Sequence, residues 1–249
     1  MSYTALTMML AGVSCFTLTG AETMVDAADV ATPAPTAQRA VKKPQDQAMA
    51  KVVDDPTLPR VLLLGDSISI GYTVPVRQQM QGKANVHRAL ANCGPTTLGV
   101  KQIDAWLGEG KWDVIHFNWG LHDLKYCDDK GTLTAIADGH QQVPVDEYEK
   151  NLRSLVARLK QTGAKLVFAT TTPVPEGAKG RVVADAAKYN AVAESIMKEH
   201  GIAIDDLYTF ANGQLDKIQK SKDVHFTPAG SEALGAEVVK SIEALLPKK

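Results

Sequence analysis

The chain has 249 residues, a formal net charge of −1 at pH 7, 45% hydrophobic residues and 22% charged residues. That length and mix suit one sizeable hydrophobic core with some sequence left over, and so a single catalytic domain. A net charge so close to zero gives no bulk electrostatic drive toward nucleic acid or an anionic membrane, which excludes both as partners held by charge.

From the start of the chain, Ala5 through Ala21 is apolar and rich in small residues, and Thr19-Gly20-Ala21 has the form of a small-residue cleavage site. Residues 1–21 therefore read as a signal peptide and the protein as exported, periplasmic or extracellular, although no Lys or Arg precedes Arg39 to supply the usual basic start. Residues 22–56, rich in Ala, Pro, Thr and Lys, read as a flexible linker, which leaves 57–249 as the folded domain.

The first element of that domain is an apolar strand, Arg60 to Leu64, running into Gly65-Asp66-Ser67, with a helix over Gly71 to Gln81 and a short strand over Ala84 to His87. Asn92-Cys93-Gly94-Pro95 punctuates. A helical pattern from Thr97 to Leu107 precedes a third strand, Trp112 to Asn118, ended by Gly120. After a polar loop, the spacing of Tyr148, Leu152, Leu155, Val156 and Leu159 predicts a helix stopped by Gly163. Lys165 to Thr170 is the fourth strand, Arg181 to Glu199 a helix, Ile202 to Ile204 a fifth strand, and Pro228 to Leu246 the last helix. Strands alternating with helices predict an α/β fold, a flavodoxin-like three-layer α/β/α sandwich on a five-stranded parallel sheet with right-handed crossovers. No run beyond the leader is long enough to span a bilayer.

Ser67 sits at a strand-to-helix junction, where an open parallel sheet binds ligands and a helix N-terminus offers free N–H groups to negative charge. The glycine and lysine spacing of a P-loop, the second glycine of a dinucleotide fingerprint and the last glycine of a nucleophile elbow are all missing around it. Two readings remain open from Gly-Asp-Ser alone: a nucleophile, or an N-cap for the following helix.

Three more segments fall at the same edge of such a sheet: Asn92-Cys93-Gly94, Gly120-Leu121-His122-Asp123 and Asp223-Val224-His225. With Gly65-Asp66-Ser67 and in this order, they resemble the SGNH hydrolases, the GDSL-type esterases and lipases, over about Thr57 to Pro247. The resemblance implies Ser67 as nucleophile, His225 as its base, and an oxyanion hole from the Ser67 and Gly94 N–H groups and the side chain at position 122. It implies a carboxylic ester substrate, a small molecule or a polysaccharide, with carbohydrate deacetylation foremost, and no cofactor.

Two positions depart from the family pattern. His122 stands where asparagine is expected, and a neutral imidazole still offers one N–H. The acid expected three residues before His225 is replaced by Lys222, and Asp223 stands only two before. Either Asp223 completes a triad through a shifted turn, or a backbone carbonyl orients His225 in a Ser–His dyad. These departures keep a non-catalytic carbohydrate-binding or scaffold protein open as an alternative, and an acyltransferase would use the same nucleophile. Cys93 and Cys127 remain after the leader and flank two of the motifs, so they are expected to form a disulfide, the alternative being two unrelated buried thiols. His116 reads as a core histidine and Asp123 as a loop brace. His87, His140 and His200 lack metal-ligand spacing. Trp106, Trp112 and Trp119 are expected to pack, with Trp119 also placed to face a sugar ring.

Overall fold

A computed structural model describes residues 44–246. The expected leader and residues 22–43 of the expected linker lie outside the described residues. In chain order the strands are β1 (Arg60–Leu64), β2 (Asn85–Arg88), β3 (Val114–Phe117), β4 (Tyr126–Cys127), β5 (His140–Gln141), β6 (Lys165–Ala169) and β7 (Ala203–Asp205). The helices are α1 (Pro44–Ala48), α2 (Ser67–Gln79), α3 (Thr96–Leu107), α4 (Val145–Lys160), α5 (Asp185–His200), α6 (Leu207–Asn212), α7 (Leu215–Ile218) and α8 (Pro228–Glu243).

Five strands form one parallel sheet in the order β2-β1-β3-β6-β7, while β4 and β5 make a separate antiparallel hairpin. Val61, Leu62, Leu63 and Leu64 of β1 are all buried, as a strand covered on both faces requires. Helices α2 and α8 pack against each other, and α3, α4 and α5 pack in sequence, giving the expected α/β/α layering. Helix α4 shows why the periodic segments fold as predicted. Its five buried side chains, Tyr148, Leu152, Leu155, Val156 and Leu159, fall on one stripe, with Asp146 and Glu147 in the first turn and Arg158 and Lys160 in the last.

The chain order reverses direction across the sheet at β1, which lies between β2 and β3. The loops leaving β1 and β3 therefore diverge at their carboxyl ends and open the crevice that holds the candidate site.

Three features differ from expectation. Residues 44–56 of the expected linker are bound to the domain: Ala48 is fully buried, Arg77 Nη1 donates to the carbonyls of Gln47 and Ala48 (both 2.9 Å), and Asn85 exchanges hydrogen bonds with the Asp55 backbone. Helix α2 begins at Ser67 rather than Gly71 because Asp66 caps it, which puts Pro75 in the helix interior. The expected Cys93–Cys127 disulfide is not formed, and both cysteines are free and buried. Each is committed elsewhere: the Cys93 N–H donates to the Gly65 carbonyl (3.2 Å), whereas Cys127 pairs with His140 in the hairpin. Burial pushes the Cys93 thiol up to about 12, which makes it an inert core group.

Candidate active site

The N-cap reading of Ser67 is answered by its neighbour. The buried Asp66 carboxylate accepts the Ile68 N–H at 2.9 Å and caps α2, leaving the Ser67 hydroxyl free to point elsewhere. It lies 3.0 Å from His225 Nε2.

His225 is presented by a loop that turns back on itself between α7 and α8. Gln219 and Phe226 form an antiparallel bridge, and the Lys220 N–H donates to the His225 carbonyl at 2.9 Å. Thr227 then caps α8 by accepting the Gly230 N–H, with Pro228 at the first helical position. At the tip of this loop Lys222 has φ = 55°, the only non-glycine residue with positive φ among the described residues. Asp223 follows this left-handed residue and, although one place later than the family pattern, reaches the imidazole.

One oxygen of Asp223, Oδ1, accepts both the His225 N–H (3.0 Å) and Nδ1 (2.7 Å). A carboxylate only accepts, so the proton sits on Nδ1 and leaves Nε2 as an acceptor facing Ser67. Burial pushes the Asp223 carboxyl up, but the two His225 hydrogen bonds and the nearby charges of His225 and Lys220 outweigh it and hold the group below its ordinary value. The hydrogen bonds run from Asp223 through His225 to Ser67, the geometry that the triad arrangement requires.

The other two expected residues are placed differently. Gly94 is buried with φ = 56°, and its N–H donates to the Asn92 carboxamide at 2.9 Å. His122 is partly buried in the loop after β3, where desolvation is the main effect lowering its pKa. Repulsion from Lys125, Arg181 and His225 acts in the same direction, against the attraction of Asp66, and the imidazole is neutral at neutral pH with one N–H to offer.

That loop is held from several sides. The Tyr148 hydroxyl and Thr171 Oγ1 both donate to the Trp119 carbonyl, at 3.0 and 3.1 Å. Gly120 has φ = 147°, and a Cβ there would stand 2.1 Å from Thr171 Oγ1, so only glycine fits. Asp123 accepts the Thr96 N–H (2.8 Å) and the Thr96 hydroxyl, serving as a cap for α3 from a distant loop. It ties the Gly94 turn to the His122 loop. Burial pushes the Asp123 carboxyl up to about 7. Its folded pKa is thus raised above the ordinary carboxylate range, and the unfolded chain binds fewer protons between about pH 4 and pH 7. Folding stability should therefore fall as pH rises through that window, and Asp123→Asn should flatten this fall, as read by urea midpoints at pH 4.5 and 7.5. An unchanged pH dependence would contradict the assignment.

Arg88 and Asn92 were not singled out from the sequence. Arg88 ends β2 with its guanidinium buried, donating to the Thr73 hydroxyl (2.9 Å), the Gly65 carbonyl (3.3 Å) and the Ala89 and Ala91 carbonyls. It thereby joins the turn before Ser67 to the turn before Gly94. An arginine closing a short strand was the available signal. Asn92 shares with Ser67, His225, Ile70, Lys220 and Phe226 a cleft of about 390 Å³.

His116 is a core histidine as expected, fully buried with Nε2 at 2.9 Å from Asp205 Oδ2, although its Nδ1 has no hydrogen-bond partner. Trp119 is buried and stacks on Trp106, so it does not face a ligand. Among the described residues no cluster of His, Cys, Asp and Glu could hold a metal ion, and no helix is long and apolar enough to cross a membrane.

The model of the GDSL-like Lipase/Acylhydrolase family matches residues 63–233. The chain belongs to this family and is a hydrolase. Its fold is also that of several solved structures. The lipase/acylhydrolase from Enterococcus faecalis superposes with a TM-score of 0.62 at 19% identity, covering 77% of this chain and 98% of that one. Axe2, an acetylxylan esterase from Geobacillus stearothermophilus, gives 0.60 at 18% identity over 74% and 94%. The acetyl xylan esterase AlAXEase gives 0.59 at 14% identity over 74% and 99%. Comparison with curated proteins found no match.

Proposed function

We propose that the protein is a serine esterase that cleaves O-acetyl groups from carbohydrate, with Ser67 as nucleophile, His225 as base and Asp223 orienting the imidazole. The observation that carries this reading is the continuous hydrogen-bonded chain from Asp223 through His225 to the Ser67 hydroxyl. Nε2 takes the Ser67 proton as Oγ attacks the ester carbonyl, and the imidazolium returns it to the leaving alcohol. Water then repeats the sequence on the acyl-enzyme and restores Ser67.

The oxyanion forms at the N-terminus of α2, whose dipole favours negative charge. Gly94 and His122 are the further donors in this proposal. An oxyanion arriving at Gly94 competes with the Asn92 side chain for its N–H, and Asn92 is exposed and free to rotate away. In His122→Asn an amide replaces the imidazole as donor. Activity near neutral pH should stay within a few-fold, and the fall in activity on the acid side, where the His122 imidazole gains its second proton below its ordinary range, should become shallower. An unchanged pH profile would remove His122 from the oxyanion site.

The acetylated carbohydrate is supported by the acetylxylan esterases among the structures of like fold. Export, expected from Ala5 through Ala21, belongs to the same reading, since polysaccharide esters are met outside the cell. The test is acetate release from acetylated xylan beside a p-nitrophenyl ester series from acetate to octanoate. Release of acetate with a preference for the shortest acyl chain is expected. Preference for octanoate would replace this substrate with a lipid ester.

A further inference from the structure

The cleft beside Ser67 has a wall that comes from outside the matched hydrolase region. Gln45 and Met49 line the same cleft as Ser67 and His225, yet they precede residue 63, where the family match begins. They are carried by α1 and the residue following it, and this segment is fixed. Ala48 is fully buried, α1 packs on α2, and Arg77 holds the carbonyls of Gln47 and Ala48. Farther along, Asp54 pairs with Arg60 and His87, and the Asp55 backbone pairs with Asn85. Three elements, α2, β1 and β2, therefore anchor the segment, and its two cleft residues keep a defined place.

The cleft volume of about 390 Å³ is far larger than an acetyl group needs and suits a ligand of several rings or sugar units. With an acetyl group on the acyl side, as proposed above, the excess takes the alcohol side of the ester. On the α1 side the lining pairs a thioether, Met49, with a carboxamide, Gln45. Elsewhere in the lining, Phe226 and Asn92 add a second apolar side chain and a second carboxamide. A sugar ring offers the complement, an apolar C–H face and hydroxyls that both donate and accept. We propose that Gln45 and Met49 are specificity-determining residues that bind the saccharide from which the acyl group is removed. This rests on the carbohydrate-ester reading above.

The experiment measures binding of acetylated xylotriose by calorimetry to the full chain carrying Ser67→Ala, so that no turnover occurs. Gln45→Ala and Met49→Ala, each added to that background, are expected to weaken binding on the order of tenfold, the size of one lost hydrogen bond or one lost apolar contact. Met49→Leu should recover most of the loss, and melting temperatures should show that each variant is folded. If the parent binds and neither alanine variant changes the affinity by more than twofold, the wall proposal fails while the carbohydrate reading stands. If the parent binds no acetylated saccharide while the wild type hydrolyses aryl esters, both the wall and the carbohydrate substrate are wrong, and only the esterase remains.

Discussion

Ser67→Ala is expected to abolish ester hydrolysis, with a loss approaching the ~10⁶-fold in kcat known for removal of a serine nucleophile. The reason is positional. The hydroxyl faces His225 Nε2 at 3.0 Å because Asp66, rather than Ser67, caps α2. The same division of roles predicts that the variant folds normally, since the cap and the β1 strand are untouched, and its urea midpoint should match the wild type. Activity close to wild type in Ser67→Ala would rule out an acyl-enzyme on this residue.

Asp223→Asn carries the second-largest expected effect. The wild-type carboxylate accepts from Nδ1 and so fixes the proton there, whereas an asparagine amide turned toward the ring favours the tautomer with its proton on Nε2. That tautomer cannot take a proton from Ser67. A loss of up to ~10⁴-fold in kcat is expected, the size seen for such a swap in a serine protease. The side chain of Asp223 is 44% exposed, so water shares its role, and ~10⁴ is a ceiling. A loss of only a few-fold would favour the dyad, with the Asp223 contact incidental to the base.

Much of the fold was legible in the sequence because its periods are strong. Apolar β1 and the stripe of α4 each permit one reading, and the alternation of such segments leads to a parallel sheet. What was missed lacks periodicity. The β4–β5 hairpin has two residues per strand and hides in a polar loop, and α6 and α7 are short helices. Residues 44–56 resembled a linker by composition, but their attachment depends on Arg77 and Asn85, far along the chain, whose bonding no local pattern reveals.

The site was legible where chemistry follows residue type and less so where it follows backbone. Ser67, His225 and Asp223 stood out as residues, but Asp223 reaches His225 from a turn that contains the left-handed Lys222, a conformation that lysine does not announce. Gly94 was located, yet its N–H proved to be held by Asn92. The disulfide expectation failed for a related reason: the count of cysteines was suitable, but each residue is fixed by a different backbone pairing.

The claim at the centre of this account is that Ser67 is an activated nucleophile. Labelling with a fluorophosphonate probe, followed by peptide mass spectrometry, reads this directly and needs no knowledge of the substrate. The account predicts a single phosphonylated serine, Ser67, with the label lost in Ser67→Ala and reduced to background in His225→Ala. Absence of labelling in correctly folded wild-type protein, or labelling of Ser67 that persists undiminished in His225→Ala, would contradict it.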